Sequence, residues 1–125
     1  MNPPSPKIRV LIVEDEGLVS MMIEDMLDLM GYEVAGVAAR LEPAMLAVAR
    51  ADFDFALLDV NLGGLVSYPI ADALRARRIP FAFSTGYGSA GLAPGYTDVP
   101  TLQKPFSYDA LAQLLRQGTA GHVQR

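Results

Sequence analysis

The chain contains no cysteine, a single histidine and only 19 % charged residues across its 125 positions. Without cysteine there is no disulfide and no thiolate zinc site, and the reducing cytoplasm is the expected location. The histidine, His122, lies in the Gly/Thr/Gln-rich end "GTAGHVQR" and reads as a solvated tail residue rather than a ligand. Basic residues are scarce: 10 Lys and Arg against 14 Asp and Glu leave a net charge of −4. Such a surface offers a phosphate backbone no cluster of cations, so nucleic acid is not an expected partner. Long apolar runs are missing too. The first one, Ile8–Val13, is too short for a signal-peptide core or a membrane span, so no membrane association is expected.

What is present fits one globular domain. The length is close to the commonest domain size, and 51 % of the residues are apolar, enough for a sizeable core. Residues 1–6, "MNPPSP", read as a disordered arm and 119–125 as a flexible tail, leaving 7–118 as the domain.

Apolar segments of two lengths alternate along that domain. "IRVLIV" (Ile8–Val13), "YEVAGVA" (Tyr32–Ala38), "FDFALLDV" (Phe53–Val60), "FAFST" (Phe81–Thr85) and "TLQK" (Thr101–Lys104) read as strands. Between them, Val19, Met22, Ile23, Met26 and Met30 recur at helical spacing before a stop at Gly31, and the methionines are expected to form a core stripe. Further helices are expected over Glu42–Arg50, Ile70–Arg78 and Tyr108–Gln117, the last capped by Ser107. "NLGGLVSYP" reads as a loop. "GYGSAGLAPGYTDVP" carries four glycines and two prolines, so a helix there would be short or irregular. Strands alternating with helices predict an α/β fold: a doubly wound five-stranded parallel sheet of flavodoxin-like order 2-1-3-4-5 with helices on both faces.

In such a sheet ligands bind beyond the carboxyl ends of the strands. Strand one ends in Glu14 and Asp15, strand three in Asp59, strand four in Ser84 and Thr85, strand five in Lys104. Taken singly, Asp15 is a helix cap, Asp59 an Asx-turn residue, Thr85–Gly86 a turn and Lys104 a solvated lysine. As a set they converge. Three carboxylates on one edge repel one another, and without a cation at least one would have its pKa raised. A hard divalent ion with oxygen ligands, Mg²⁺, relieves that crowding. A carboxylate can also act as a nucleophile toward a phosphoryl group, with a cation and a lysine stabilising the transferring oxygens. Asp59, on the central strand, is the best-placed nucleophile.

These residues resemble the receiver domain of two-component response regulators. "LIVEDE", "ALLDVNLGG", "FSTG" and "LQKPF" match that family's motifs in order and separation, over Lys7 to about Gln117. The resemblance implies that Asp59 is the phosphoacceptor and that Glu14, Asp15, Asp59 and the Asn61 carbonyl serve Mg²⁺, Glu14 through water. It implies that Lys104 pairs with the phosphoryl group, that the Lys104–Pro105 bond is cis, and that Thr85 is the switch hydroxyl. Gly86 would be small so as not to crowd the phosphoryl group. The family's usual aromatic, three positions before the lysine, is here Thr101. That departure and the glycine-rich segment after strand four resemble a stand-alone, mostly alphaproteobacterial subgroup with a Phe-Ala-Thr-Gly-type signature. Tyr87 is then either the replacement aromatic or a surface tyrosine on a loop.

The implied function is that of a single-domain response regulator, not a turnover enzyme. It would take phosphate from a histidine kinase or histidine phosphotransfer protein and act on a downstream protein partner by changing the 84–106 surface. A phosphorelay sink or shuttle and an unphosphorylated pseudo-receiver are the alternatives. A haloacid-dehalogenase-like phosphotransferase would place a second Asp two residues after the first, where this chain has Asn61. A flavin-binding flavodoxin is excluded because Glu14–Glu16 would repel a phosphate after strand one.

Overall fold

The computed structural model describes residues 7–121. The expectations for the 1–6 arm, for 122–125 and for His122 lie outside the described residues. Elements follow in the order β1 (Arg9–Val13), α1 (Gly17–Met30), β2 (Glu33–Ala38), α2 (Leu41–Arg50), β3 (Phe55–Asp59), β4 (Asn61–Leu62), β5 (Leu65–Val66), α3 (Tyr68–Ala76), β6 (Phe81–Thr85), β7 (Thr101–Gln103) and α4 (Tyr108–Gly118). One 3₁₀ turn, Gly88–Gly91, lies between β6 and β7.

Five strands form one parallel sheet in the order β2-β1-β3-β6-β7. Counted over the parallel strands alone, this is the order 2-1-3-4-5. β1 and β3 are buried almost throughout because both faces are covered. Successive side chains point to opposite faces, so each strand feeds two cores. Leu11, Val13, Ala56 and Leu58 meet α2 and α3 through Val48, Ile70 and Leu74. Val10, Ile12, Phe55 and Leu57 meet α1 and α4 through Ile23, Leu27, Leu111 and Leu115. Each such Val, Leu, Ile or Phe contributes about 1.5–3 kcal/mol by leaving water. α4 lies so close to the sheet that a Cβ at Gly118 would stand 2.4 Å from the Phe55 ring.

Three details differ from expectation. In α1 Ser20, Ile23 and Leu27 are buried and Val19, Met26 and Met30 pack half-buried against the same core, as the spacing predicts, but Met21 and Met22 are 60 % and 40 % exposed. Met21 and Met22 fall outside that face because each residue back from Ile23 turns about 100° around the helix. Second, the loop 61–69 contains the antiparallel hairpin β4–β5. Gly63 and Gly64 both take positive φ, 56° and 91°, as a two-residue hairpin turn requires. Third, α3 begins two residues earlier than expected, at Tyr68, because Pro69 suits a first turn. The helix expected after strand four is the single 3₁₀ turn, and Ser107 caps α4 by accepting the Ala110 N–H at 3.1 Å. Residues 119–121 close that helix as a turn, with the Thr119 hydroxyl donating to the Leu115 carbonyl at 2.7 Å.

Candidate functional site

Backbone ladders carry the polar residues to one edge. The Glu14 N–H continues the β1–β2 ladder onto the Ala38 carbonyl, at 3.0 Å. Asp59 is the last residue of β3 and pairs with Ser84 of β6. The Lys104 N–H donates to the Thr85 carbonyl at 2.8 Å, which brings the lysine alongside β6. The side chains then meet. Lys104 Nζ donates to Glu14 Oε1 at 2.7 Å and to Asp59 Oδ2 at 3.0 Å. Carboxylate oxygens of Glu14, Asp15 and Asp59 all lie within 4.8 Å of one another. Asp15, Asp59, Asn61, Gly86 and Lys104 line a cavity of about 330 Å³ open to solvent.

Burial sets the electrostatics. The Glu14 side chain is 1 % exposed and the Asp59 side chain 9 %. Burial pushes the Asp59 carboxyl up, the Lys104 hydrogen bond pulls it back, and the Glu14 charge raises it again; the result is a pKa of about 6. Burial alone would lower Lys104, but its bonds to Glu14 and Asp59 outweigh that and hold the ammonium above the ordinary lysine value. One cation is thus shared among crowded acids, which leaves room for more positive charge. The donor set, all hard oxygens within a small radius, fits Mg²⁺.

The remaining expected residues sit around this centre. The Asn61 N–H donates to Asp59 Oδ1 at 3.2 Å, while its side-chain oxygen accepts the Gly64 N–H at 2.9 Å. Thr85 is buried, and its hydroxyl oxygen accepts the Tyr87 N–H at 3.2 Å. Gly86 lines the cavity, and a Cβ there would meet no protein atom within 4 Å. Its smallness therefore leaves room for whatever enters the cavity rather than for a neighbour in the fold. Tyr87 is 83 % exposed, outside the cluster. Thr101 bonds the Val99 carbonyl through its hydroxyl at 3.0 Å. The Lys104–Pro105 peptide is cis.

One participant is new. The Gly63 N–H donates to Asp15 Oδ2 at 2.9 Å, so the β4–β5 turn holds the exposed acid toward the cavity. The pair Gly63–Gly64 between Leu62 and Leu65 was the available hairpin signal.

Known proteins with this architecture agree with the geometry. The transcriptional regulatory protein TcrA of Mycobacterium tuberculosis is 34 % identical over 116 residues, covering 87 % of this chain and 45 % of its own length. This chain thus spans less than half of that relative. The solution structure of SdrG from Sphingomonas melonis Fr1 is 43 % identical, with a TM-score of 0.79 over 87 % of this chain and 93 % of that one. The receiver domain of the sensor histidine kinase PA1611 from Pseudomonas aeruginosa PAO1, solved with a magnesium ion coordinated in its active-site cleft, is 27 % identical. Its TM-score is 0.75 over 92 % of this chain and 99 % of that one. Residues 10–116 match the response regulator receiver domain as a family, and the chain belongs to it.

Proposed function

We propose that this chain is a single-domain response regulator of the cytoplasm that accepts a phosphoryl group onto Asp59 from a histidine kinase or a histidine phosphotransfer protein. The carrying observation is the bridge of Lys104 Nζ to Glu14 and Asp59 at the mouth of an acidic cavity.

In this reading an Asp59 carboxylate oxygen attacks the phosphorus, the phosphorus–nitrogen bond of the phosphohistidine breaks, and the imidazole leaves with the bonding pair. The Asn61 N–H holds the carboxylate and fixes its direction of attack. Lys104 exchanges its bond to Asp59 Oδ2 for one to a phosphoryl oxygen, so its charge follows the charge that develops. Glu14, Asp15, Asp59 and the Asn61 carbonyl are the groups that would hold Mg²⁺, which when bound neutralises both the acids and the phosphoryl oxygens. Thr85 reaches the phosphoryl group by turning its hydroxyl away from the Tyr87 N–H, and this starts the change of the 84–106 surface that a downstream protein reads.

The test is phosphorylation by a panel of histidine kinases and by acetyl phosphate with Mg²⁺. Asp59→Asn is expected to abolish labelling while keeping the fold. Labelling of that variant at wild-type stoichiometry would place the nucleophile elsewhere.

A further inference from the structure

Segment 86–99 has two ends of different character. At the near end Tyr87 projects into solvent, held by its N–H on Thr85, and Gly88 follows at a φ of 65°. At the far end the Tyr96 ring stacks on Tyr68 of α3, with centroids 4.1 Å apart and planes 5° from parallel. Phe83 of β6 stands edge-on to both rings, at 6.0 and 6.2 Å. The hydroxyls are engaged as well. Tyr96 donates to Asp72 Oδ1 at 2.7 Å, and the Tyr68 hydroxyl oxygen accepts the Ala93 N–H at 2.8 Å. Arg75 lies 5.0 Å from the Tyr96 ring centre and reaches Asp98 at 3.3 Å. Leu92 and Val99 are buried beneath.

We propose that Tyr68 and Tyr96 form a clamp that fixes residues 92–99 to α3, so that within the 84–106 surface the movement begun at Thr85 falls on residues 84–91 around Tyr87 and not on 92–99. The chain thereby limits its own switch. Tyr96 is a positioning residue, acting through the segment it anchors and not on Asp59. The near end has what a movable piece needs: one hydrogen bond to the switch hydroxyl, glycines at 86, 88 and 91, and an exposed tip. The far end is tied to α3 by ring stacking, hydroxyl bonds and an ion pair, which a shift of Thr85 alone does not break.

The inference rests on the phosphoacceptor reading for what starts the movement, but the clamp itself is measurable without it. In the ligand-free chain, Ala93 amide exchange is expected to quicken roughly tenfold in Tyr68→Phe, which removes the acceptor, and in Tyr96→Ala, which removes the stack. Tyr96→Phe keeps the stack and is expected to restore slow exchange. Exchange in Tyr68→Phe and Tyr96→Ala within twofold of wild type overturns the clamp; if Tyr96→Ala fails to fold, Tyr68→Phe alone decides. Beryllofluoride with Mg²⁺, a phosphoryl mimic, should then shift amides 84–91 in wild type and leave 93–99 in place. In Tyr96→Ala the shifts should spread to residue 99. Equal shifts at 86–91 and 93–99 in wild type overturn the confinement. Absence of any shift near Asp59 removes the phosphoacceptor reading instead, and the exchange result still stands.

Discussion

The two ends of the sheet carry charge clusters of the same composition and opposite character. At the amino end, Arg9 is surrounded by Glu33, Asp52 and Asp54. Its side chain pairs with Glu33 and reaches Asp52 at 3.5 Å, while its N–H donates to Asp54 at 2.8 Å. At the carboxyl end, Lys104 is surrounded by Glu14, Asp15 and Asp59. Each is one cation among three acids. The amino-end side chains are well exposed, 33 % for Arg9, 47 % for Glu33 and 84 % for Asp52, so water screens them and they serve as ties between strands. The carboxyl-end pair is buried beside a cavity, and there burial first and the Glu14 charge after it raise Asp59, so that the same excess of negative charge calls for a further cation. Burial, rather than the residue types, separates a site from a strand tie.

Removing the cation from each cluster should therefore produce the largest contrast. Lys104→Met leaves Glu14 buried and uncompensated, and is expected to cost about 3 kcal/mol in urea unfolding at pH 7 with chelator present. Added Mg²⁺ should recover part of the loss. Arg9→Met removes a solvated tie and should cost about 1 kcal/mol at most. Equal losses at the two ends would show that burial does not distinguish them.

Metal binding sharpens the comparison at a smaller scale. Asp15→Asn should weaken Mg²⁺, read by titration of the site's amide resonances, roughly tenfold, which is about 1.4 kcal/mol. Asp52→Asn at the opposite end should leave the affinity unchanged. An Asp52 effect as large as that of Asp15 would mean that Mg²⁺ answers to net charge and not to the cavity.

That contrast also marks what could be read from the chain beforehand. The strand order and the meeting of Glu14, Asp59 and Lys104 were legible because parallel strands buried on both faces are continuous apolar runs, and their polar terminal residues must share an edge. The hairpin at Gly63–Gly64 was less so: the glycine pair is a turn signal, but its two-residue strands are too short to show any period. The exposure of Met21 and Met22 on α1 was not legible, although Val19, Ile23, Met26 and Met30 do pack on the core: spacing assigns a face only to within a residue or so. The Tyr68–Tyr96 pairing joins residues 28 positions apart, one in a glycine-rich segment with no periodicity, so only the folded chain brings it into view. Local pattern reaches elements and their ends; it does not reach contacts between loops.

The smallest effect concerns Asp59 as a stability element. Its folded pKa of about 6 lies above the ordinary 3.8, so the carboxyl favours folding most when protonated. Its contribution is complete below the ordinary value and is lost as the pH rises through about 6. At pH 7 without metal, the ionised group thus works against the fold, and Asp59→Asn should be the more stable protein. The cavity is open to water, so the gain is discounted to about 1 kcal/mol. Lowering the pH from 7 to 4 should close the gap between variant and wild type, because wild-type Asp59 becomes neutral as well. Mg²⁺ at pH 7 should close it from the other side, by stabilising only the wild-type carboxylate. Glu33→Gln, at the exposed cluster, is expected to shift stability by less than about 0.5 kcal/mol and to leave these trends untouched. An Asp59→Asn protein less stable than wild type at pH 7 in chelator would mean that Lys104 already satisfies the acids, and the buried cluster would then be another tie like the one at Arg9.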